Sequence, residues 1–193
     1  MVFQRGAKVV SCAKFDNAVG VEKAVVLLLK EKEAERVVTD YYESLDPNTL
    51  YMRFMAIVKD PKIFVRSMVS MGCRFLTVLV GGEIAGVGEL CLVDSGDCMA
   101  ALSVKPGFRR RGLGSFLLFS MLCACRDMGG KRLMGEVLII NDVAIRFFRR
   151  VGGVLESVED GVVRGYIPVE DGRSLVSLVL AEKGIRAKCG DCE

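Results

Sequence analysis

The stretch VKPGFRRRGLGS, Val104 to Ser115, sets three arginines and three glycines around one proline, directly ahead of a long apolar run. From Gly114 to Met128 the residues are good helix formers with apolar groups on almost every side. Gly129 and Gly130 suit a left-handed C-terminal cap, so the stretch is the mouth of a helix buried on most faces. A helix start leaves about four backbone N–H groups unpaired and carries roughly half a positive charge from the aligned peptide dipoles. Such an end attracts anions. Gly112 and Gly114 remove side chains that would hold a phosphate away from those N–H groups, and Arg109, Arg110 and Arg111 add charge able to neutralise a diphosphate. The segment is built like a pyrophosphate cradle.

Working outward, the order of elements sets the fold class. Upstream, RFLTVLV (Arg74–Val80), the pair Gly81-Gly82, IAGVGELCLV (Ile84–Val93), a turn at Asp94-Ser95-Gly96-Asp97 and CMAALSV (Cys98–Val104) predict an antiparallel three-strand meander. Before it, KAVVLLLK (Lys23–Lys30) reads as a buried strand and EKEAERVVTDYYESL (Glu31–Leu45) as a helix with acids early. Pro47 then starts a short helix, and Asp60 caps another with Pro61 at its first position. Downstream come a strand, RLMGEVLI (Arg132–Ile139), and a helix through VAIRFFRR capped by Asn141 or Asp142 and stopped by Gly152 and Gly153. A hairpin turning at Asp160-Gly161 and a terminal helix, SLVSLVLAEKG (Ser174–Gly184), complete the chain. Residues 1 to about 20 show no sustained period and read as an extra strand or a loose arm. The expectation is an α/β (α+β) fold: a single mixed, mostly antiparallel twisted sheet flanked by helices. Its boundaries are an extension over 1–22, one domain over 23–182 and a tail over 183–193.

At 193 residues, 51% apolar and 26% charged, the chain has the balance of one compact domain. The densest apolar run, Phe116 to Cys125, is interrupted by Ser120 and is shorter than the roughly 20 residues that span a bilayer, so no membrane span is expected. No apolar core follows a basic leader at the N-terminus, which argues against a secretory signal and for a cytoplasmic protein. A net charge of +3 is too small to argue for nucleic acid, which needs a clustered basic face. Of eight cysteines, Cys73, Cys91, Cys98, Cys123 and Cys125 lie in apolar segments and read as small hydrophobes of the core. The tail CGDCE holds one C-x-x-C, Cys189 and Cys192, with no second pair and no histidine anywhere, so a reduced tail and no metal site are expected. Only three asparagines and one glutamine occur, a scarcity found in hyperthermophile proteins, in which intracellular disulfides are commoner; the many Cys and Met point the other way.

Other phosphate sites share the logic of the loop but not its residues. The Walker pattern needs Gly-Lys-Ser/Thr, and the dinucleotide fingerprint needs a third glycine where Leu117 stands and a parallel βαβ unit. The loop instead resembles the acetyl-CoA loop of the GNAT acetyltransferases, whose pattern Arg/Gln-x-x-Gly-x-Gly/Ala is met by Arg109, Gly112 and Gly114, with Val104 and Pro106 in the positions the family commonly fills ahead of it. NDVAIRFFRRVGG looks like the family's later Asn-led helix, and DYYESLDPNTLYMRFM is similar to the acceptor-side helices of Pat-type protein lysine acetyltransferases. The resemblance covers about Lys23 to Val169.

That resemblance implies an N-acetyltransferase using acetyl-CoA as cosubstrate, with a protein lysine as acceptor and direct attack in a ternary complex. It assigns the backbone of Leu102, Ser103 and Val104 to the pantetheine arm, Arg109, Arg110, Arg111, Gly112, Leu113, Gly114 and Ser115 to the pyrophosphate, and Asn141 to the thioester end; a plain helix cap is the other reading of Asn141. Two departures follow. The family's usual glutamate on the strand before the loop aligns with Met99, and the tyrosine that protonates the leaving thiolate aligns with Phe148. Glu89, in phase with Val87 and Cys91 among apolar neighbours that would raise its pKa, is the first candidate for general base, and Asp97 the second. The departures also motivate a different class, a regulatory module that binds acetyl-CoA with little or no turnover.

Overall fold

Periodicity of two and periodicity of 3.6 alternate along the chain, and the structure, a computed structural model, follows them over the residues it describes, 8–17, 20–93 and 95–190. The elements are β1 (Lys8–Asn17), β2 (Gly20–Leu28), α1 (Glu31–Glu43), α2 (Pro47–Phe54), α3 (Pro61–Ser70), β3 (Arg74–Val80), β4 (Glu83–Leu92), β5 (Cys98–Val104), α4 (Leu113–Asp127), β6 (Arg132–Leu138), α5 (Asp142–Arg150), β7 (Val154–Glu159), β8 (Val162–Pro168), α6 (Val169–Ala181) and β9 (Ile185–Cys189). Among the described residues the strands form one sheet in the order β7-β8-β6-β5-β4-β3-β2-β1-β9. Every neighbouring pair is antiparallel except β5 and β6. The mixed, mostly antiparallel sheet flanked by helices is the one the sequence predicts.

Local chemistry accounts for the helix starts. Asp46 accepts from Thr49 N–H (2.9 Å) with Pro47 at the first helical position, and Asp60 accepts from Lys62 N–H (2.9 Å) with Pro61 likewise placed. Strand alternation then divides the core. Leu76, Val78 and Leu90 point to the face covered by α4 and α6, whereas Phe75 and Val87 point to the face covered by α1 and α3. Helix α4 lies so close to β4 that a Cβ on Gly88 would come within 2.6 Å of the Met121 sulfur, so the glycine lets the methionine lie against the strand.

The structure draws the sheet more widely than the sequence boundaries do. Residues 8–17, inside the N-terminal extension, pair with β2 from Lys8↔Leu28 to Asn17↔Gly20, and β9, inside the C-terminal tail, pairs with β1 from Phe15↔Ile185 to Ser11↔Cys189. β9, at five residues, is too short to carry a period of its own, and its partner β1 supplies its register. The cysteine reading is corrected here. Cys73 and Cys91 form a disulfide between β3's start and β4, Cys123 of α4 is bonded to Cys189 of β9, and Cys12 is disulfide-bonded as well. Cys98 and Cys125 remain buried thiols. Apolar surroundings indicate burial but not the pairing of thiols from distant elements. Asp94 of the turn and Cys192 of the tail lie outside the described residues. No helix among the described residues is long and apolar enough to cross a membrane.

Candidate active site

The sheet opens at one place. Strands β5 and β6 run parallel but pair only at Cys98↔Leu133 and Met99↔Met134, and beyond Met99 they separate. Alternation decides which peptide groups are left bare. Lys105 N–H donates to the Ala85 carbonyl on the β4 side (2.9 Å), and the Ser103 carbonyl lies against Gly86. Odd-numbered residues of β5 therefore bond β4, and beyond the last pair with β6, Leu102 and Val104 turn their N–H and C=O to the open side. The opening contains a cavity of about 160 Å³. Met121 of α4 and Phe148 of α5 line it from one face of the sheet, Met52 and Arg53 of α2 from the other.

The quoted loop borders this opening. After a 3₁₀ turn at Pro106–Phe108 the chain passes through Arg110 (φ 65°) and Gly112 (φ 85°), both left-handed, the second being the N-cap of α4. No side chain caps that end. The first helical bond runs from Phe116 N–H to the Gly112 carbonyl (3.0 Å), so the N–H groups of Leu113, Gly114 and Ser115 have no acceptor within the helix. A Cβ at Gly114 would meet only Val104 Cγ2, at 3.9 Å, so packing within the protein does not demand a glycine there. What the missing side chain leaves is space in front of the bare N–H groups.

The arginines divide by role. Arg109 Nε–H donates to the Val104 carbonyl (3.0 Å) and its second nitrogen to Thr49 Oγ1 (2.8 Å), whose other partner is Asp46 (2.6 Å). Its guanidinium is thus a tie between the end of β5 and the start of α2, the place to which the structure brings this member of the expected pyrophosphate set. Arg110 is exposed, and Arg111, also exposed, holds its guanidinium 5.5 Å from the Phe108 ring. Of the three proposed pantetheine contacts, Leu102 presents its peptide to the opening. The Val104 carbonyl is taken by Arg109, and Ser103 turns its carbonyl to β4 and bonds its hydroxyl to Tyr41 (3.1 Å).

Glu89 is buried, as expected, but its surroundings are not apolar. Arg53 of α2 forms an ion pair with its carboxylate, and the buried Tyr42 hydroxyl donates to its other oxygen. Arg53 Nε–H also donates to the Tyr42 hydroxyl at 3.2 Å. In place of the apolar surroundings expected from its strand, α2 lays a guanidinium across it, and the carboxylate is that group's counterion. Next to it, burial pushes the Tyr41 hydroxyl up to about 12, so it stays a neutral partner of Ser103 through the neutral range. Asp97 is held by Arg132 through both oxygens (3.0 and 2.6 Å) and by Ser95 (2.9 Å), which keep its carboxyl below the usual carboxylate range. It does not line the opening.

Asn141 is the cap of α5, its Oδ1 accepting from Ala144 N–H (3.2 Å), and the residue also lines the cavity. Phe148 is wedged against Gly153 and Gly165 and offers no proton. Sequence reasoning missed Arg53, Tyr42, Thr49 and Glu136. Arg53 and Thr49 depend on where α2 lies over the sheet and Tyr42 on how α1 packs beside it, which no spacing reports; Glu136 was visible only as the residue two after Met134 on the same strand face. Among the described residues no group of three or more His, Cys, Asp or Glu could hold a metal ion.

Comparisons with known proteins agree with this geometry. The model of the acetyltransferase (GNAT) family matches residues 38–153. The GNAT domain of Streptomyces lividans PAT superposes with a TM-score of 0.68 at 25% identity, covering 80% of this chain and 95% of that one. Spermidine N-acetyltransferase from Vibrio cholerae, in complex with CoA and spermine, gives 0.62 at 14% identity over 77% and 97%. Salmonella typhimurium yncA, with its cofactor acetyl-CoA, gives 0.58 at 14% over 76% and 94%. At 14% identity the last two speak for the fold alone. No match was found among curated proteins.

Proposed function

This chain belongs to the acetyltransferase (GNAT) family, and we propose that it transfers the acetyl group of acetyl-CoA to the side-chain amine of a protein lysine. One observation carries the cofactor half of this reading: the uncapped start of α4, with N–H groups of Leu113, Gly114 and Ser115 unpaired within the helix, adjoins the stretch where β5 has parted from β6 and exposes its peptide edge. The residues fit the cosubstrate. The three N–H groups and the helix dipole take the pyrophosphate, with charge from Arg110 and Arg111. Leu102 offers its N–H and C=O to the amides of the pantetheine arm, and Asn141 stands at the cavity end of that path. When bound, acetyl-CoA supplies an acyl group on a thioester whose thiolate is a tolerable leaving group.

The acceptor half rests on the other side of the opening. A lysine ammonium has a pKa near 10.4, so presenting it as a neutral amine at pH 7 costs about 4.6 kcal/mol. The site must meet that cost at a spot that also fits a four-carbon stem. Met52, Met134 and Ala101 line the cavity as apolar wall, and Arg53 and Glu136 are its only charged lining residues. Arg53 is already compensated by Glu89. One carboxylate, Glu136, only partly compensated by an Arg164 that it shares with Glu159, suits an acceptor with a single cation on an aliphatic stem; a polyamine, with several cations, would need more. The 25% identity to the PAT domain points the same way.

The test is direct. With labelled acetyl-CoA at pH 8, lysine-containing peptides should be acetylated faster than spermidine by about tenfold or more in kcat/KM. Acetylation of spermidine at equal or greater efficiency would contradict the acceptor class. The pairing of Glu89 with Arg53, together with Met99 on β5, favours a second reading, a module that binds acetyl-CoA without transfer; binding with no free thiol released across peptides and amines would select it.

A further inference from the structure

The general base implied by the family is replaced by Met99, Glu89 is held by Arg53 and Tyr42, and Asp97 is held by Arg132 away from the opening. The opening nevertheless contains a carboxylate. Glu136 follows Met134, the last β6 residue paired with β5, by two positions, so it stands on the same face where the two strands have parted. It lines the cavity, and its side chain is 30% exposed. Its Oε1 accepts from Arg164 Nε–H at 2.7 Å; among the described residues its Oε2 has no hydrogen-bond partner.

From this geometry we infer that Glu136 is a catalytic residue of the proposed reaction: Oε2 receives the acceptor ammonium and takes its proton. The inference rests on the acetyltransferase reading above and names the group that completes it. In the step, one N–H bond of the ammonium breaks, its electron pair stays on nitrogen, and an O–H bond forms at Glu136. The proton then leaves to water through the exposed edge of the carboxyl, which restores the carboxylate. The neutral amine remains facing the opening.

The charged groups around Glu136 fit the task. Arg164 of β8 is shared with Glu159 of β7 (3.7 Å), so it orients Glu136 without fully compensating it. Across the opening, Arg53 of α2 is compensated by Glu89 of β4. The local balance is left near one negative charge, which attracts an ammonium and favours its approach over that of an acidic side chain. Apolar Met52 and Met134 beside it accommodate the methylene stem.

Glu136→Gln keeps the size and the Arg164 contact but cannot take the proton. Acting on a lysine peptide, it should lose about 100-fold or more in kcat/KM at pH 7, and the deficit should shrink as pH rises toward 10, where the free amine forms without help. Glu136→Asp should recover part of the activity. Calorimetry supplies a readout independent of turnover. In protein saturated with CoA, Nα-acetyl-lysine methylamide should bind about tenfold or more weakly to Glu136→Gln, with the affinity for acetyl-CoA itself unchanged. Wild-type activity in Glu136→Gln, a deficit constant from pH 7 to 9.5, or a parallel loss of acetyl-CoA affinity would each overturn the assignment. Should Glu136→Gln not fold, Glu136→Ala decides: it should lose at least as much activity on the lysine peptide at pH 7, with the deficit again shrinking toward pH 10, and full activity would count against the inference. Complete inactivity of the unaltered protein on amines would refute the transfer reaction instead, and the lysine methylamide titration would still report whether Glu136 holds an ammonium.

Discussion

Replacing Arg53 by methionine isolates the buried pair on which the reading of Glu89 turns. The two side chains are 11% and 3% exposed, and Tyr42, itself buried, is the remaining donor to Glu89. Methionine keeps the apolar stem of the arginine but leaves the carboxylate charged, buried and held by one hydroxyl. Breaking a buried pair by removing one partner costs about 3–5 kcal/mol. For a chain of this size each kcal/mol lowers Tm by about 2–4 °C, so a fall of about 6–20 °C is expected. Acidification should shrink the deficit, because protonating Glu89 removes the buried charge. Arg53→Met combined with Glu89→Gln should recover most of the loss, since no uncompensated charge remains. Urea denaturation at pH 7 and pH 5 on the three variants closes a double-mutant cycle. A loss below about 1 kcal/mol for Arg53→Met, or a double variant as unstable as the summed singles, would refute the view that Glu89 serves as the counterion of Arg53.

Two further expectations follow from the geometry. Arg109→Gln removes the tie from Val104 to Thr49 and should weaken acetyl-CoA binding by about tenfold without changing its salt dependence, whereas Arg110→Gln should weaken binding and flatten the salt dependence; calorimetry between 50 and 300 mM salt distinguishes them. Asp97, whose carboxyl Arg132 holds below its usual range, contributes stability that is complete above about pH 4 and is lost as pH falls through its lowered folded pKa. Asp97→Asn should therefore be less stable at neutral pH and show a shallower acid limb in a Tm–pH series, and an unchanged limb would contradict this.

Much of the architecture is legible in local chemistry. The Asp-Pro starts of α2 and α3, the Gly81-Gly82 and Asp160-Gly161 turns, and the glycine-flanked ends of α4 and α5 each require residue types that the sequence displays at those positions. The uncapped start of α4 is legible for the same reason, because its glycines leave backbone N–H groups without side chains over them. Less local features escape. Strand β9 takes its register from its neighbour β1, and the Cys123–Cys189 disulfide joins elements 66 residues apart. Arg109 sits in the motif yet reaches back to Thr49, 60 residues earlier. Glu89 shows a period-two apolar pattern on its own strand, but Arg53, which decides its electrostatics, comes from a helix crossing above it. Periodicity reports which face a residue occupies; it does not report what another element brings to that face.

The central claim is that the start of α4 holds the pyrophosphate, and Gly114→Glu tests it with least disturbance, because a side chain there meets nothing nearer than Val104 at 3.9 Å. Acetyl-CoA at a hundred times its dissociation constant should stabilise the unaltered protein by about 2.7 kcal/mol. Gly114→Glu, folded to a similar Tm on its own, should show no such stabilisation, because its carboxylate occupies the cradle and repels the phosphates. An undiminished thermal shift in that variant would contradict the account.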